Sequence, residues 1–177
     1  LNTNGSFLIL GNLNNYSLLN VGGTLNTRDL INHGSLKAVD KLLTRGATLY
    51  NQGEILASNL DVDNTNIQNI SKITVINTAK LKGINIINSG QLSGTNVELT
   101  ALSLTNSDTI LAEGIINAGN TILNNTGYIG SNQKIVLSGS NVSNQGSMES
   151  NIIEMYNLAG YNNNGGSIKG TGVYITT

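Results

Sequence analysis

The chain has 177 residues, with 30 asparagines, 21 glycines, no proline, no cysteine and a formal net charge of −1. The near-neutral charge argues against nucleic-acid binding. The absence of cysteine excludes disulfides, thiolate metal sites and cysteine nucleophiles, and the single histidine, His33, excludes a histidine cluster within the chain. No apolar stretch approaches the ~18 residues of a membrane-spanning helix, so no transmembrane segment is expected.

A short pattern recurs along the chain, in which an asparagine is followed four residues later by an apolar residue. Six units also carry glycine two residues after the asparagine, and three units lack it. The nine asparagines are Asn14, Asn32, Asn51, Asn69, Asn88, Asn106, Asn125, Asn144 and Asn164. Successive members lie 18 to 20 residues apart. An internal period of this length indicates a solenoid.

Three short strands are predicted in each unit, because apolar residues alternate with polar ones. The first strand holds the apolar residue of the corner pattern, as at Leu36 and Ile55. The second holds two apolar residues, at Leu60/Val62, Val97/Leu99, Ile135/Leu137, Ile153/Met155 and Val173/Ile175. The third is centred on Leu30, Leu49, Ile67, Ile86, Leu104, Ile122 and Val142.

Units of about 19 residues cannot bury their apolar residues alone, but stacked units can. Each strand then pairs with its equivalent one coil away, and the missing proline suits strands that are paired on both sides. We predict an all-β, right-handed parallel β-helix of about nine coils. It forms one domain over 1–177, with an irregular or partial first coil at 1–13. Because the sequence starts at Leu1 without a signal peptide, we expect a fragment of a longer repeat protein.

The corners of this β-helix are assigned to the repeated asparagines. Their amides are expected to form a ladder from coil to coil, and the corner asparagines and glycines are expected to adopt positive φ. The candidate structural corner residues are Asn32, Asn51, Asn69, Asn88, Asn106, Asn125, Asn144 and Asn164.

Charges on the second strands are predicted to alternate in sign between coils. Aligning Leu81 with Val62 and Leu99 gives two outward columns. They are Asp61, Lys80 and Glu98 on one side, and Asp63, Lys82 and Thr100 on the other. We favour a ladder of ion pairs. As an alternative, Asp61 and Asp63 resemble the carboxylate pairs with which β-helix polysaccharide lyases hold calcium.

A basic group near the N-terminal end provides the candidate binding residues: Arg28, Lys37, Lys41 and Arg45. Such a group could attract anionic glycans, although a solvated face is the default interpretation. His33 lies at a corner without an evident serine and acid partner, which indicates a surface turn residue rather than a catalytic base.

The C-terminal coils carry three tyrosines that could offer a stacking surface for sugar: Tyr156, Tyr161 and Tyr174. Five Asn-x-Ser/Thr sequons begin at Asn4, Asn15, Asn69, Asn124 and Asn141, a number that chance allows in so asparagine-rich a chain. The sequence shows neither a nucleophile with its base nor a phosphate-binding fingerprint. We therefore predict no catalytic residue, cofactor or metal.

The repeated units resemble the haemagglutinin repeats of filamentous haemagglutinin-like proteins. Residues 87–93, Ile-Asn-Ser-Gly-Gln-Leu-Ser, and residues 123–129, Leu-Asn-Asn-Thr-Gly-Tyr-Ile, carry the likeness most closely, and it extends from about Asn14 to the end. The resemblance implies a large Gram-negative exoprotein that passes through an outer-membrane partner pore by two-partner secretion. The absence of cysteine suits this route, because a disulfide would obstruct an unfolded chain.

The resemblance also implies a function. The chain would be a non-catalytic shaft of a secreted or surface-displayed adhesin, which contacts a receptor or glycan on a host or neighbouring cell. The secretion domain of the family carries Asn-Pro motifs, and this chain has no proline, so we expect a shaft segment. Family members include adhesins, cytolysins and carriers of toxins for contact-dependent growth inhibition, and the sequence does not choose among them. The alternatives are a lyase-like carbohydrate-active enzyme and a segment of an autotransporter passenger or phage fibre.

Overall fold

The computed structural model describes residues 1–139 and 141–176, which contain 21 β-strands and no helix. No helix able to span a membrane therefore occurs in this part of the chain. The strands are β1 (Asn2–Thr3), β2 (Phe7–Asn15), β3 (Leu18–Val21), β4 (Leu25–Asn32), β5 (Ser35–Asn51), β6 (Glu54–Asn69), β7 (Lys72–Val75), β8 (Thr78–Lys82), β9 (Asn85–Asn88), β10 (Gln91–Gly94), β11 (Asn96–Asn106), β12 (Thr109–Ala112), β13 (Ile115–Asn125), β14 (Tyr128–Ser131), β15 (Lys134–Ser138), β16 (Asn141–Asn144), β17 (Ser147–Glu149), β18 (Ile152–Tyr156), β19 (Gly160–Asn162), β20 (Ser167–Lys169) and β21 (Gly172–Ile175).

Each coil of the chain has three faces. The long strand β6 makes this division visible, because its successive parts pair in parallel with β7, β8 and β9 of the next coil. We call these the first, second and third faces, in chain order. About nine such coils stack in parallel into a β-solenoid, which confirms the predicted all-β parallel architecture.

The core consists of aliphatic columns that run from coil to coil along the inside of each face. On the first face, Leu36, Ile55 and Ile73 are fully buried and follow one another in register, as predicted. On the second face, Val62, Leu81 and Leu99 form the expected column. Burial of such side chains stabilises the stack by about 1.5–3 kcal/mol each.

Two predictions about the core are wrong, and one predicted pair is in register but exposed. In the seventh coil, Leu123 rather than Ile122 fills the third-face column, and Ile122 is exposed, because one step along a strand turns a side chain to the opposite face. Val173 and Ile175 do point along the expected column, but they stay exposed because they lie in the last described coil. At the N-terminal end, Leu19 rather than Leu18 is the buried first-face residue.

The first coil follows the same plan with one irregularity. Phe7, Ile9 and Leu13 are partly buried against the core, and β2 pairs with β4. The register between these two strands shifts between Ile9 and Asn12. Residues 1–13 thus pair with the second coil but deviate from its spacing.

The corner glycines are needed for a close approach between coils rather than for positive φ, which corrects our prediction. A Cβ on Gly53 would overlap the backbone carbonyl oxygen of Gly34 in the preceding coil. The same overlap with a preceding carbonyl recurs at Gly34, Gly90, Gly127 and Gly146. Among the described residues, positive φ occurs only at Gly165 (83°) and Asn157 (60°).

Candidate functional site

A ladder of asparagine amides runs along the corner between the third and first faces. Each Nδ2 donates to the Oδ1 of the asparagine in the next coil, at 2.6–2.8 Å. The ladder residues are Asn15, Asn32, Asn51, Asn69, Asn88, Asn106, Asn125, Asn144 and Asn163. Most Nδ2 groups also donate to a backbone carbonyl on the first face of the next coil, as Asn32 does to Glu54 at 3.1 Å. The structure therefore shows the expected amide ladder.

The two ends of the ladder differ from the sequence prediction by one residue each. Asn15 rather than Asn14 begins it, and Asn163 rather than Asn164 ends it. Asn164 is exposed instead. The last corner has one extra residue, because Met148 pairs with Ile168, and Gly165 at positive φ lies within this extra length.

The ladder separates the five sequons into two classes. Asn15 and Asn69 are buried ladder residues whose amides are engaged. Asn4, Asn124 and Asn141 are exposed. Among the five sequons, all of which lie in the described residues, only these three present their amide to solvent.

The predicted basic group is divided among different partners. Lys41 Nζ lies 2.8 Å from Asp61 Oδ2, and Arg45 Nη2 lies 2.7 Å from Asp61 Oδ1. Arg28 lies 3.8 Å from the carboxylate of Asp29. Lys37 is exposed on the first face and forms no ion pair within the described part of the chain. The structure thus brings Lys41 and Arg45 together, but at a shared carboxylate rather than as a free cationic surface.

Asp61 is the centre of this cluster, and its environment favours the charged form. Burial alone raises the pKa of the carboxyl group. Hydrogen bonds from Lys41 and Arg45, together with their positive charges, outweigh burial and hold the pKa of Asp61 below its ordinary value. Asp61 is therefore a carboxylate already committed to two basic side chains.

The predicted columns of alternating charge are in register as expected. Asp61, Lys80 and Glu98 occupy equivalent positions in successive coils, and Asp63 pairs in register with Lys82. Lys82 Nζ lies 3.0 Å from Asp63, and Lys80 Nζ lies 3.4 Å from Glu98. Asp61 bonds instead to the basic residues of the preceding coil.

The calcium alternative requires several free oxygen ligands around Asp61 and Asp63. Both carboxylates are bound by basic side chains. Across residues 1–139 and 141–176, no group of three or more histidine, cysteine or acidic residues is placed to hold a metal ion. The pair therefore has the geometry of ion pairs rather than of a calcium site.

His33 lies in an exposed aromatic cluster that the sequence analysis missed. Its ring stacks on Tyr16 with centroids 4.8 Å apart, and it meets Tyr50 edge-on at 5.9 Å. Its Nδ1 lies 2.6 Å from Gln52 Oε1. Tyr16, His33 and Gln52 each follow a ladder asparagine directly, so the correct starting residue, Asn15, would have predicted this stack. Beyond Gln52, no side-chain hydrogen bond to His33 is found in the described residues.

The three C-terminal tyrosines do not form one surface. Tyr161 occupies the column of Val142 on the third face, and burial raises the pKa of its phenol. Tyr156 and Tyr174 lie on the second face in neighbouring coils. Tyr161 thus lies on a different face from the other two tyrosines.

Comparison of the chain with protein-family models, curated proteins and solved structures finds no significant match.

Proposed function

We propose that the chain is a non-catalytic shaft segment of a large bacterial adhesin, of the filamentous haemagglutinin-like type that the repeat resembles. In this proposal the protein is exported through an outer-membrane two-partner-secretion transporter and acts outside the cell or on the outer bacterial surface. The shaft extends the molecule and presents a surface to a receptor or glycan on a host or neighbouring cell.

The observation that carries this proposal is the uninterrupted amide ladder. It links every coil from Asn15 to Asn163 by the same side-chain bond, and aliphatic columns accompany it. A stack with equivalent neighbours behaves as an extended rod whose length scales with the number of coils. Spacing and display are the mechanical tasks that such a rod performs.

The charge arrangement supports the same proposal. The carboxylates that a lyase-like enzyme would need for a cation, Asp61 and Asp63, bind Lys41, Arg45 and Lys82 instead. Exposed pairs of this kind contribute about 0.2–1 kcal/mol each and favour the correct register between coils. Because both carboxylates are engaged in ion pairs, we favour the shaft over the enzyme alternative.

The experiment that tests the proposal is binding of the fluorescently labelled 177-residue chain to epithelial cells and to Gram-negative bacteria. Saturable binding by the folded chain, lost after heat unfolding, is expected for an adhesive segment. A salt series distinguishes charge-driven attachment, which salt screens, from shape-specific attachment. Absence of saturable binding to both cell types would reduce the segment to a spacer and contradict its adhesive role.

A further inference from the structure

A polar groove of about 390 Å³ lies on the C-terminal half of the rod, away from the ladder and the Asp61 cluster. It follows the corner between the first and second faces over several coils. The side chains used in the argument are Tyr128, Asn132, Glu149, Asn151, Lys169 and Thr171. Its volume lies in the range of small-molecule sites, about 300–1,000 Å³.

The lining of the groove includes a tyrosine ring that packs over the backbone of a glycine. A Cβ on Gly130 would overlap the Cε1, Cζ and Oη atoms of Tyr128, so the ring occupies the space that any other residue at 130 would fill. The ring of Tyr128 therefore packs at Gly130 and also lines the groove. An aromatic ring that lines a polar groove can act as a platform on which the C–H face of a sugar stacks.

The two charges of the groove are opposite and do not neutralise each other directly. Glu149 and Lys169 are aligned in register on neighbouring coils, and both are exposed. The aligned pair Asp63 and Lys82 forms a 3.0 Å ion pair, whereas none joins Glu149 to Lys169 within the described residues. Both groups keep their hydrogen-bonding capacity for a ligand.

The wall behind these charges has a further polar group without a partner. Ser150 lines the groove and is buried, and its Oγ has no hydrogen-bond partner among the described residues. Buried hydroxyls are normally paired. Asn151 donates its Nδ2 to the carbonyl of Asn132 at 2.7 Å, which fixes this amide at the rim of the groove.

We propose that this groove binds a neutral oligosaccharide, with one sugar ring stacked on Tyr128 and its hydroxyls held by Glu149 and Lys169. A hydroxyl both donates and accepts, whereas a carboxylate only accepts and an ammonium only donates, so sugar hydroxyls satisfy both groups. The opposite charges give an anionic ligand no net attraction. The inference rests on the proposed adhesive function, for which it names the ligand class and the site.

The test is titration of the full chain with lactose, maltotriose and N,N′-diacetylchitobiose, followed by NMR chemical-shift changes. We expect saturable binding of at least one of these sugars, with a Kd of about 1 mM. Sialyl-lactose is expected to bind no more tightly than lactose. Tyr128→Leu should weaken binding about tenfold, because it removes the aromatic platform. Glu149→Gln and Lys169→Met, which alter exposed side chains, should each weaken it about threefold to tenfold.

Two further variants locate the site. Gly130→Ala keeps every polar side chain of the groove but displaces the Tyr128 ring, so it should weaken binding as Tyr128→Leu does. Tyr174→Leu is the matched control, because the ring of Tyr174 also packs against a glycine, Gly172, but does not line the groove. This control should leave the Kd unchanged. Thermal unfolding followed by circular dichroism shows whether each variant remains folded.

Failure of saturation by all three neutral sugars would overturn the proposal. It would also be overturned if binding were unaffected by Glu149→Gln and Lys169→Met, or tighter for sialyl-lactose than for lactose. The cell-binding experiment is independent of this result. If Tyr128→Leu still binds cells, the adhesive function stands but does not depend on the groove. If the chain binds sugar but no cells, the adhesive function is contradicted and the groove proposal stands.

Discussion

The Nδ2 of Asn51 donates a hydrogen bond to the Oδ1 of Asn69 at 2.8 Å, and both side chains are buried. The same Nδ2 donates to the carbonyl oxygen of Lys72 on the first face of that coil, at 3.1 Å. One asparagine therefore fixes both a side chain and a strand of the next coil. Aliphatic columns are held by non-directional burial, so the directional amide bonds specify the register.

We predict that Asn69→Ala destabilises the rod by about 2–3 kcal/mol. The substitution removes the acceptor of Asn51 and the donor to Asn88, and it leaves buried amide atoms unpaired. Urea unfolding followed by circular dichroism measures the loss. Asn85→Ala is the control, because Asn85 also bonds an asparagine of a neighbouring coil, Asn66 at 3.0 Å, but on the exposed surface. This control should lower the free energy of unfolding by less than about 0.5 kcal/mol. Equal losses for both variants would contradict the idea that burial of the ladder amides makes them important.

A second prediction concerns the close approach at the corner glycines. Gly53→Ala places a Cβ on the carbonyl oxygen of Gly34, a backbone atom that cannot move aside alone, and we expect a loss of about 1–3 kcal/mol. Gly11→Ala is the matched control, since nothing lies within 4 Å of a Cβ there. Thermal unfolding of both variants compares them. A stable Gly53→Ala chain would mean that neighbouring coils separate at little energetic cost.

The solenoid itself could be predicted from the sequence, because the corner asparagine and the apolar positions recur at nearly the same spacing in every unit. The columns through Leu36 and Val62 were identified correctly, since each position recurs in most units. Errors arose where a unit offers two adjacent residues of the same type. Asn14 and Asn15, or Ile122 and Leu123, satisfy the same spacing, and only pairing with the neighbouring coils decides which of them turns inward.

The candidate sites were harder to predict for a related physical reason. Spacing placed Asp61 opposite Lys80 correctly, but which of several nearby cations a carboxylate bonds depends on side-chain reach. The period likewise gives no indication that the ring of Tyr128 folds over Gly130. The register between strands can be predicted from the repeated spacing. A side-chain arrangement that occurs only once leaves no repeated pattern in the sequence and so cannot be predicted in this way.

The pH dependence of stability should contain a contribution from Asp61. Its pKa is lowered in the folded chain, so the charged form stabilises the fold above the ordinary aspartate pKa of about 3.9, and this stability is lost as the pH falls through the lower, folded value. Lys41 and Arg45 are partly solvent-exposed, so we expect Asp61→Asn to cost only about 1 kcal/mol at neutral pH.

Urea unfolding of the unmodified chain and of Asp61→Asn, at neutral pH and at about pH 2, measures this contribution. The difference between the two chains should be full at neutral pH and shrink in acid. Asp63→Asn serves as the comparison, because Asp63 has one basic partner, Lys82, and is more exposed than Asp61. A difference that persists unchanged in acid would show that the carboxylate charge is not its source.

Removal of whole coils tests whether the units are equivalent. Deleting residues 107–125 joins Asn106 to Thr126, so that Asn106 takes the ladder position of Asn125. Register then continues, with Leu104 above Val142 in place of Leu123. We expect this shortened chain to unfold cooperatively at a temperature close to that of the full chain, because stability is nearly additive over neighbouring units.

Deleting residues 70–88 is the informative contrast, since it preserves the ladder by replacing Asn88 with Asn69 but removes Lys80 and Lys82. Asp61 then faces Glu98 in register, and like charges directly opposite are unfavourable. We expect a lower unfolding temperature for this chain than for the 107–125 deletion at low salt. The gap should narrow in high salt, because salt screens exposed charges. Loss of cooperative unfolding in both deletions would refute the equivalence of the coils, and a gap that is independent of salt would exclude charge as its cause.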